Sequence, residues 1–453
     1  MANSAARHAR PRPAARLFAR GCLALSLWVG LALHALSGGM PPVVLITNLP
    51  AYGTSAILKG CVLGANPATQ AMALFIYVPG YGWVTKPACA QPLSTIHVDG
   101  SWSASIVTGG SDQNATRIAA LLVGTNYNQS CVDGAAAISS DIYAQAVAKA
   151  VLTRPSPGVR FFSFSGYDWW VKNETALAGP GPNYFSDATN NVWTDTNGWL
   201  HLRITHRTNQ WQCAEIISAR TFGPGNYRFE LNSPVDAIDT NVTLGLFTWS
   251  DDPAFTDREI DVECGRWNNP ADTNNAQFVV QPFDAANHLV RYRVAPGLTN
   301  TTHLFVWQTN VVNFQAQTGG YSAAASNLIY SWVFTNATAV PVSGDEAVHL
   351  NLWLFQGHPP ANGNEVEVIV KNFSFVPLGT PPDVSLTNAQ LIAGNRFQFS
   401  FNVQPDFHYA LESSTNLTQW QSKATTLATN GSTTLTDTNA GGNAQLYRVE
   451  TLP

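Results

Sequence analysis

The feature that most constrains the fold is a run in which acidic and branched aliphatic side chains alternate at every position, Glu259-Ile260-Asp261-Val262-Glu263. Successive side chains of a β-strand point to opposite faces of its sheet. A strand here therefore places the three acids on one face and Ile260 and Val262 on the other, where they can be buried. The run predicts a sheet with an apolar core on one side and a row of carboxylates on the other.

Three carboxylates in one row repel each other unless they lie in bulk water. We therefore expect at least one of them to have a raised pKa and to hold a proton near neutral pH. Retaining glycoside hydrolysis needs one carboxylate as nucleophile and one carboxylic acid as proton donor, ~5 to 5.5 Å apart. Residues four apart on a flat strand are ~13 Å apart at Cα, so the two glutamates must lean together on a concave sheet. The alternative is the solvent-exposed face of an ordinary amphipathic strand.

Composition limits the class of protein and of partner. The chain has 453 residues, of which 45% are hydrophobic and 12% charged, and this favours two or three compact domains. A net charge of −5 without a basic cluster argues against nucleic acid or an anionic membrane surface as a partner. A polar uncharged partner fits better. We expect a monomer.

Residues 1–39 are predicted to be a secretory signal peptide. Five arginines precede an apolar run from Cys22 to Leu36, and small residues follow at Ser37-Gly38-Gly39. The alternative is a single membrane anchor, but the run is shorter than the ~20 residues that a span needs and contains His34. The expected location is secreted or periplasmic, without membrane association after cleavage.

The rest of the chain divides into three predicted modules. Residues 41–154 alternate strand-like runs with Gly and Pro turns and predict a small β-sandwich accessory module. The linker Thr153–Gly158 contains two prolines and a glycine. Residues 159–378 hold the acidic run and show poor helical periodicity, and residues 383–453 predict a C-terminal β module. The fold class is therefore all-β.

Of the six cysteines, five lie beyond the predicted signal peptide, so at least one thiol is left unpaired. Cys61, Cys89 and Cys131 lie together in the first module and can supply one disulfide in an oxidising compartment. Their spacing is not that of a zinc site.

A second alternating run has a face suited to sugars. In His349-Leu350-Asn351-Leu352-Trp353-Leu354 the leucines share one face, while His349, Asn351 and Trp353 share the other. That face is too polar for a core and too aromatic for plain solvent. Aromatic rings stack on the apolar faces of sugar rings and polar side chains bond the hydroxyls, so the mixture predicts a sugar cleft.

Several motifs follow the order and spacing of glycoside hydrolase family 16, which this chain resembles over residues 159–378. They are Cys213–Ser218, Phe222–Tyr227, Leu246–Trp249, Glu259–Glu263 and Asn351–Trp353. The resemblance implies a concave jelly-roll β-sandwich and retaining endo-hydrolysis of β-glucans or related polysaccharides. It implies Glu259 as nucleophile, Glu263 as acid/base and Asp261 between them.

The spacing within the acidic run narrows the resemblance. Laminarinase-like and agarase-like members carry an extra residue, a β-bulge, between the positions of Asp261 and Glu263, whereas lichenase and xyloglucan-active members do not. The sequence is similar to the second group, and a β-1,3-1,4- or β-1,3-glucan is the favoured substrate. It departs from the family at Cys264, where an aromatic residue is usual, and at Asp257-Arg258, which replaces a common Trp-Asp.

The resemblance also implies that Glu215 and Gln277 contact the sugar or the surroundings of the nucleophile, and tryptophans beside the acids are candidate platforms. The candidate substrate-binding residues are Glu215, Trp249, Gln277, Trp307, Asn351 and Trp353. The resemblance allows a structural calcium ion on the convex face, but no ligand cluster assigns one. We expect no cofactor and no metal in the site.

Two other functions remain open: a xyloglucan-type transglycosylase, and a non-catalytic jelly-roll protein that binds polysaccharide. A binding protein gains little from holding three carboxylates together, so the acidic run favours an enzyme. The sequence does not decide between water and a second sugar as acceptor.

Overall fold

The computed structural model describes residues 42–128, 131–321, 325–378, 386–393, 396–402, 408–415, 421–427, 432–440 and 446–452. The predicted signal peptide, residues 1–39, lies outside the described residues. The structure is built almost entirely from antiparallel β-strands, which confirms the all-β, jelly-roll prediction. No helix in the described ranges is long and apolar enough to cross a membrane.

The first module is a β-sandwich with one short helix. Its elements are β1 (Val43–Asn48), β2 (Leu58–Leu63), β3 (Gln70–Val78), β4 (Gly82–Lys86), β5 (Leu93–Thr95), β6 (Ser101–Ala104), β7 (Arg117–Gly124), β8 (Asp133–Ala135), α1 (Ser140–Ala144) and β9 (Ala148–Thr153). One sheet has the order β1-β2-β6 and the other β8-β4-β3-β7-β9, with β5 also paired to β3. β3 is buried on both faces: Leu74 and Ile76 face the first sheet, while Phe75 packs with residues of α1. Cys89 and Cys131 form the one disulfide that the three cysteines of this module were expected to supply, a pairing that the sequence left open.

The central module contains the jelly roll. Its strands are β10 (Phe161–Phe164), β11 (Tyr167–Val171), β12 (Glu174–Ala178), β13 (Asn183–Phe185), β14 (Val192–Thr194), β15 (Leu200–Arg207), β16 (Gln210–Thr221), β17 (Gly225–Asn232), β18 (Val242–Trp249), β19 (Ile260–Cys264), β20 (Ala276–Val280), β21 (Leu289–Tyr292), β22 (Asn300–Trp307), β23 (Val312–Thr318), β24 (Leu328–Phe334), β25 (Ala347–Leu354) and β26 (Val366–Pro377). Short 3-10 helices span Val235–Ala237, Pro253–Arg258, Ala325–Asn327 and Phe355–Gly357, and another, Asp112–Asn114, lies in the first module.

Two large sheets enclose the core of the central module. The concave sheet has the order β10-β11-β16-β25-β18-β19-β20-β21. The opposite sheet has the order β14-β15-β26-β17-β22-β23-β24. Ile260, Val262, Leu350 and Leu352 are fully buried between them. The alternation read from the sequence is therefore confirmed for β19 and β25.

The last module forms two three-stranded sheets, β27-β28-β31 and β30-β29-β32. Its strands are β27 (Leu386–Ile392), β28 (Arg396–Asn402), β29 (His408–Ser414), β30 (Gln421–Leu427), β31 (Ser432–Asp437) and β32 (Leu446–Leu452). Phe399, Phe401, Tyr409 and Leu411 form its small core.

The first module is joined to the jelly roll by more than the linker. Leu152 of β9 pairs with Arg220 of β16, so a strand of the first module extends the concave sheet. A guanidinium nitrogen of Arg117 in β7 lies 2.8 Å from a carboxylate oxygen of Asp345, just before β25. This contact places the first module beside one side of the concave face.

Candidate active site

The acidic row lies on β19 and on the residue just before it. The sequence predicted that Glu259 lies within the strand, but β19 begins at Ile260, and Glu259 instead follows directly from the 3-10 segment Pro253–Arg258. Asp261 pairs with Phe247 of β18, and Glu263 lies between Gly245 of β18 and Gln277 of β20. All three acidic side chains line one cleft on the concave sheet.

The cleft has a volume of about 890 Å³ and combines acids with aromatic rings. Glu215, Asn351, Gly245 and Glu263 form a row across its floor, because they are paired along β16, β25, β18 and β19. A Cβ atom at Gly245 would lie 2.5 Å from Asn351 Oδ1. A side chain at Gly245 would therefore displace Asn351 and fill the floor beside Glu263.

Burial raises the pKa of each of the three acids Glu259, Asp261 and Glu263, which we call the acidic row. Burial is the main cause for Glu259, whose pKa is raised to about 8, and the charge of Glu263 raises it further. Burial, together with the charges of Glu259 and Glu263, raises the pKa of Asp261 well above its usual value. Burial also raises the pKa of Glu263, although a hydrogen bond from Gln277 Nε2 at 2.6 Å and the charge of Arg291 oppose the rise.

Hydrogen bonds within the row decide where a negative charge is most stable. A hydrogen bond between the carboxyl groups of Asp261 and Glu259 lowers the pKa of Glu259 and raises that of Asp261. Asp261 is thus the member that most favours holding a proton, and as a donor it stabilises an ionised Glu259. Because the three groups interact, they titrate as a unit. All three pKa values are raised, so the row favours holding at least one proton near neutral pH, as its sequence predicted, and can combine a carboxylate with a carboxylic acid.

Glu215 is held by two basic side chains. Its Oε1 lies 2.7 Å from Nδ1 of His349, and its Oε2 accepts a hydrogen bond of 3.1 Å from Nζ of Lys172. Burial would raise the pKa of Glu215, but the hydrogen bonds and charges of His349 and Lys172 outweigh burial and lower it. Glu215 lines the cleft, with both carboxylate oxygens already engaged.

The predicted substrate-binding residues do not all meet in the cleft. Trp249, Asn351 and Trp353 line it, and both tryptophans are partly exposed. Asn351 is 1% exposed, and its Oδ1 has no hydrogen-bond partner among the described residues, so it is available to a hydroxyl donor. Gln277 contacts Glu263 instead of lining the cleft.

The prediction for Trp307 is wrong. Trp307 is at the end of β22 in the opposite sheet, is 0% exposed and belongs to the core. Its Nε1 donates a hydrogen bond of 3.2 Å to the carbonyl oxygen of Pro341. Its side chain lies on the same face of β22 as that of Phe305, another core residue. Trp307 therefore faces the core and not the cleft.

Trp170 and Lys172 line the cleft but were not among the predicted site residues, and His349 was predicted only as part of the sugar-facing side of its run. Trp170 lies on β11 and lines the cleft with a partly exposed ring, and its indole N–H has no partner in the described part of the chain. The adjacent Trp169 is fully buried and donates to the carbonyl oxygen of Phe164. Alternation shows that two adjacent tryptophans face opposite ways, but not which one faces the cleft.

No cluster of three or more His, Cys, Asp or Glu residues that could hold a metal ion occurs among the described residues.

This chain is similar to several proteins of known structure. No protein-family model matches the sequence, and no curated protein matches it. The Bacillus licheniformis β-glucanase is 20% identical over 49% of this chain and 99% of its own, with a TM-score of 0.36. The Bacteroides ovatus mixed-linkage glucan GH16 protein, solved with a G4G4G3G product, is 13% identical over 48% of this chain and 97% of its own, with a TM-score of 0.36.

A third similar structure is Rv0315 of Mycobacterium tuberculosis, described as an immunostimulatory antigen and pseudo β-1,3-glucanase. It is 19% identical over 48% of this chain and 90% of its own, with a TM-score of 0.35. Each likeness covers about half of this chain, and none assigns it a family or an activity.

Proposed function

We propose that this chain is a secreted, retaining endo-glycoside hydrolase that acts on a β-glucan-type polysaccharide. The observation that carries the proposal is the row of Glu259, Asp261 and Glu263, whose pKa values are all raised, in an open cleft lined by aromatic rings. Holding three acids together in a buried position costs free energy. That cost is understandable where the chemistry needs a carboxylate and a carboxylic acid side by side.

The proposed first step uses both glutamates. Glu263, as a carboxylic acid, donates its proton to the glycosidic oxygen while the carboxylate of Glu259 attacks the anomeric carbon. The bond to the leaving sugar breaks, and an ester forms between Glu259 and the remaining sugar. In the second step the carboxylate of Glu263 takes a proton from water, and the water oxygen displaces Glu259. Two displacements at one carbon restore its configuration.

The neighbouring residues have supporting roles in this proposal. The proton on Asp261 stabilises the negative charge of Glu259 before attack and after release. Gln277 holds the carboxyl group of Glu263 through a hydrogen bond of 2.6 Å. Trp170, Trp249 and Trp353 provide flat apolar surfaces for pyranose rings.

The cleft chemistry favours a neutral polysaccharide. Its acids would repel an anionic sugar chain, and its basic side chains are already engaged. Glu215 pairs with Lys172 and His349, Asp345 pairs with Arg117, and the guanidinium of Arg220 lies over the ring of Phe222. The unpartnered carbonyl of Asn351 accepts from a hydroxyl group. We favour β-1,3-1,4- or β-1,3-glucan, following the un-bulged spacing of the acidic run.

The test is an assay of residues 40–453 on mixed-linkage glucan, laminarin, xyloglucan and agarose, with sizing of the products. Internal cleavage of a β-glucan supports the proposal. Products longer than the starting sugar chain would instead identify a transglycosylase. Binding without any cleavage, equal in the protein and in Glu259→Gln, would identify a polysaccharide-binding protein.

A further inference from the structure

The backbone just before Glu259 is strained. Thr256, Asp257 and Arg258 have φ values of 53°, 56° and 49°, so three consecutive non-glycine residues adopt the left-handed conformation. Such a conformation is unfavourable for a residue with a Cβ atom and persists only where the surrounding contacts enforce it. We call residues 250–258 the nucleophile loop. Because Glu259 follows it directly, its position depends on whatever holds this loop.

Arg258 is the main anchor of the nucleophile loop. Its side chain is 1% exposed, and its Nη1 lies 3.1 Å from Asp252 Oδ2 and donates to Ser250 Oγ at 3.0 Å. Its Nε donates to the carbonyl oxygen of Val342 at 2.8 Å. A Cβ atom on Gly344 would clash with the guanidinium group, so the segment around Gly344 closes tightly over it.

The backbone of Arg258 is fixed as well as its side chain. Its carbonyl oxygen accepts a hydrogen bond of 2.8 Å from Oγ1 of Thr248, and the same Oγ1 accepts from the backbone N–H of Ile260 at 3.2 Å. Thr248 therefore ties together the residues on both sides of Glu259. Any further movement of the nucleophile loop is limited by the residues around the guanidinium group of Arg258.

The first module completes the surroundings of Arg258. Asp345 Oδ1 lies 3.7 Å from Arg258 Nη1, and the other oxygen, Oδ2, lies 2.8 Å from Nη2 of Arg117 in β7. Arg117 also donates to the backbone carbonyl of Asp345 at 3.2 Å. The ring of Tyr143, in α1, lies 5.9 Å below the Arg258 guanidinium, within cation-π range.

We propose that the first module positions the nucleophile, with Arg117 acting on the nucleophile loop through Asp345 and Arg258. Arg117 is a positioning residue in this arrangement. Without it, Asp345 loses its closest cationic partner in a site where it is 7% exposed, and turns toward Arg258 or out to solvent. Either movement changes the partners of Arg258 and releases the strained backbone before Glu259. The first module would then be part of the active enzyme and not a separable accessory. The inference rests on the proposed function only where it concerns catalysis.

The test compares Arg117→Met with Lys86→Met. Lys86 is a buried cation of the same module, paired with Asp112, and it has no contact with the nucleophile loop. Both variants replace a cation by a neutral chain of similar length, so loss of stability alone affects both. Melting curves fix a temperature at which each variant is folded.

Arg117→Met is expected to lower kcat about 10-fold to 100-fold and to change KM less than twofold. A small misplacement of a reacting group lowers the rate of the chemical step more than it weakens substrate binding. Lys86→Met is expected to keep the wild-type kcat. Arg117→Lys, which retains one charge for Asp345, should recover part of the loss. Equal kcat values for Arg117→Met and Lys86→Met would overturn the proposal.

Hydrogen exchange gives a readout that does not need activity. Peptides covering residues 250–263 should exchange faster in Arg117→Met, and in Asp345→Asn, than in wild type and Lys86→Met. If wild type proves inactive on every substrate, the proposed function fails while this comparison still tests the positioning. If these peptides exchange at the wild-type rate in both Arg117→Met and Asp345→Asn, the positioning role of the first module is refuted, even in an active enzyme.

Discussion

Gln277 Nε2 donates a 2.6 Å hydrogen bond to Oε2 of Glu263, and the two residues are paired across β20 and β19. The bond favours the ionised form of Glu263 and so opposes the increase of its pKa by burial. An acid/base residue must cycle between both forms, so this hydrogen bond adjusts the pH range in which it is a proton donor.

Replacement of Gln277 should therefore shift the pH profile. In Gln277→Met the donor is lost, the pKa of Glu263 rises further, and the alkaline limb of kcat/KM should move to higher pH. Gln315→Met, a change of the same kind on the opposite sheet, should leave the profile unchanged. A shift of the alkaline limb to lower pH in Gln277→Met would contradict the assignment of Glu263 as the acid.

Loss of either glutamate should abolish turnover without loss of folding. Glu259→Gln and Glu263→Gln each remove a required carboxylate and keep the shape of the side chain. Azide should rescue Glu259→Ala with an inverted glycosyl azide, and Glu263→Ala with a retained one, as NMR of the products would show. Exchanged outcomes would mean that the two roles are reversed.

The acidic row should destabilise the protein as pH rises. The folded-state pKa of Glu259 is about 8, above the ordinary value of 4.5, so the folded state holds the proton more tightly than the unfolded state. The favourable contribution is fully present below about 4.5 and is lost as pH rises through about 8. Relative to wild type, Glu259→Gln should therefore gain melting temperature between pH 4.5 and pH 8. A melting-temperature difference that does not vary across this range would show that Glu259 is not perturbed.

The tryptophans should separate into cleft and core residues. Trp170→Ala, Trp249→Ala and Trp353→Ala should each weaken substrate binding by ~1 to 3 kcal/mol, taking stacking of bases on aromatic rings as the analogue. Trp169→Ala and Trp307→Ala remove buried rings and should cost ~3 to 5 kcal/mol of folding free energy. Michaelis constants and melting curves for the five variants distinguish the two effects. A cleft variant with unchanged KM and a large loss of stability would be reassigned to the core.

Alternation in the sequence predicted two strands of the concave sheet, β19 and β25, because one face of each is strongly apolar. The prediction of Trp307 as a sugar platform was wrong because both faces of β22 are buried, so alternation does not distinguish a core aromatic residue there from one that faces a cleft. Alternation also could not show which of the adjacent residues Trp169 and Trp170 faces the cleft. The burial of Ile260 and Val262, by contrast, followed directly from their period of two.

The contact of the first module with the nucleophile loop could not be predicted from local patterns. Arg117 and Asp345 are separated by 228 positions, and nothing in the runs around either one indicates the other. The substitution of Asp257-Arg258 for the more usual Trp-Asp was visible in the sequence. Its consequence, a buried guanidinium that needs anionic partners, becomes clear only once Asp252 and Asp345 are seen beside it.

The most direct test of the central claim is the anomeric configuration of the first product, followed by proton NMR during hydrolysis of mixed-linkage glucan or laminarin. Double displacement through Glu259 and Glu263 predicts that the β-anomer appears first and then converts to the equilibrium mixture. The signal should be absent in Glu259→Gln. Appearance of the α-anomer first, or wild-type turnover in Glu259→Gln, would contradict the claim.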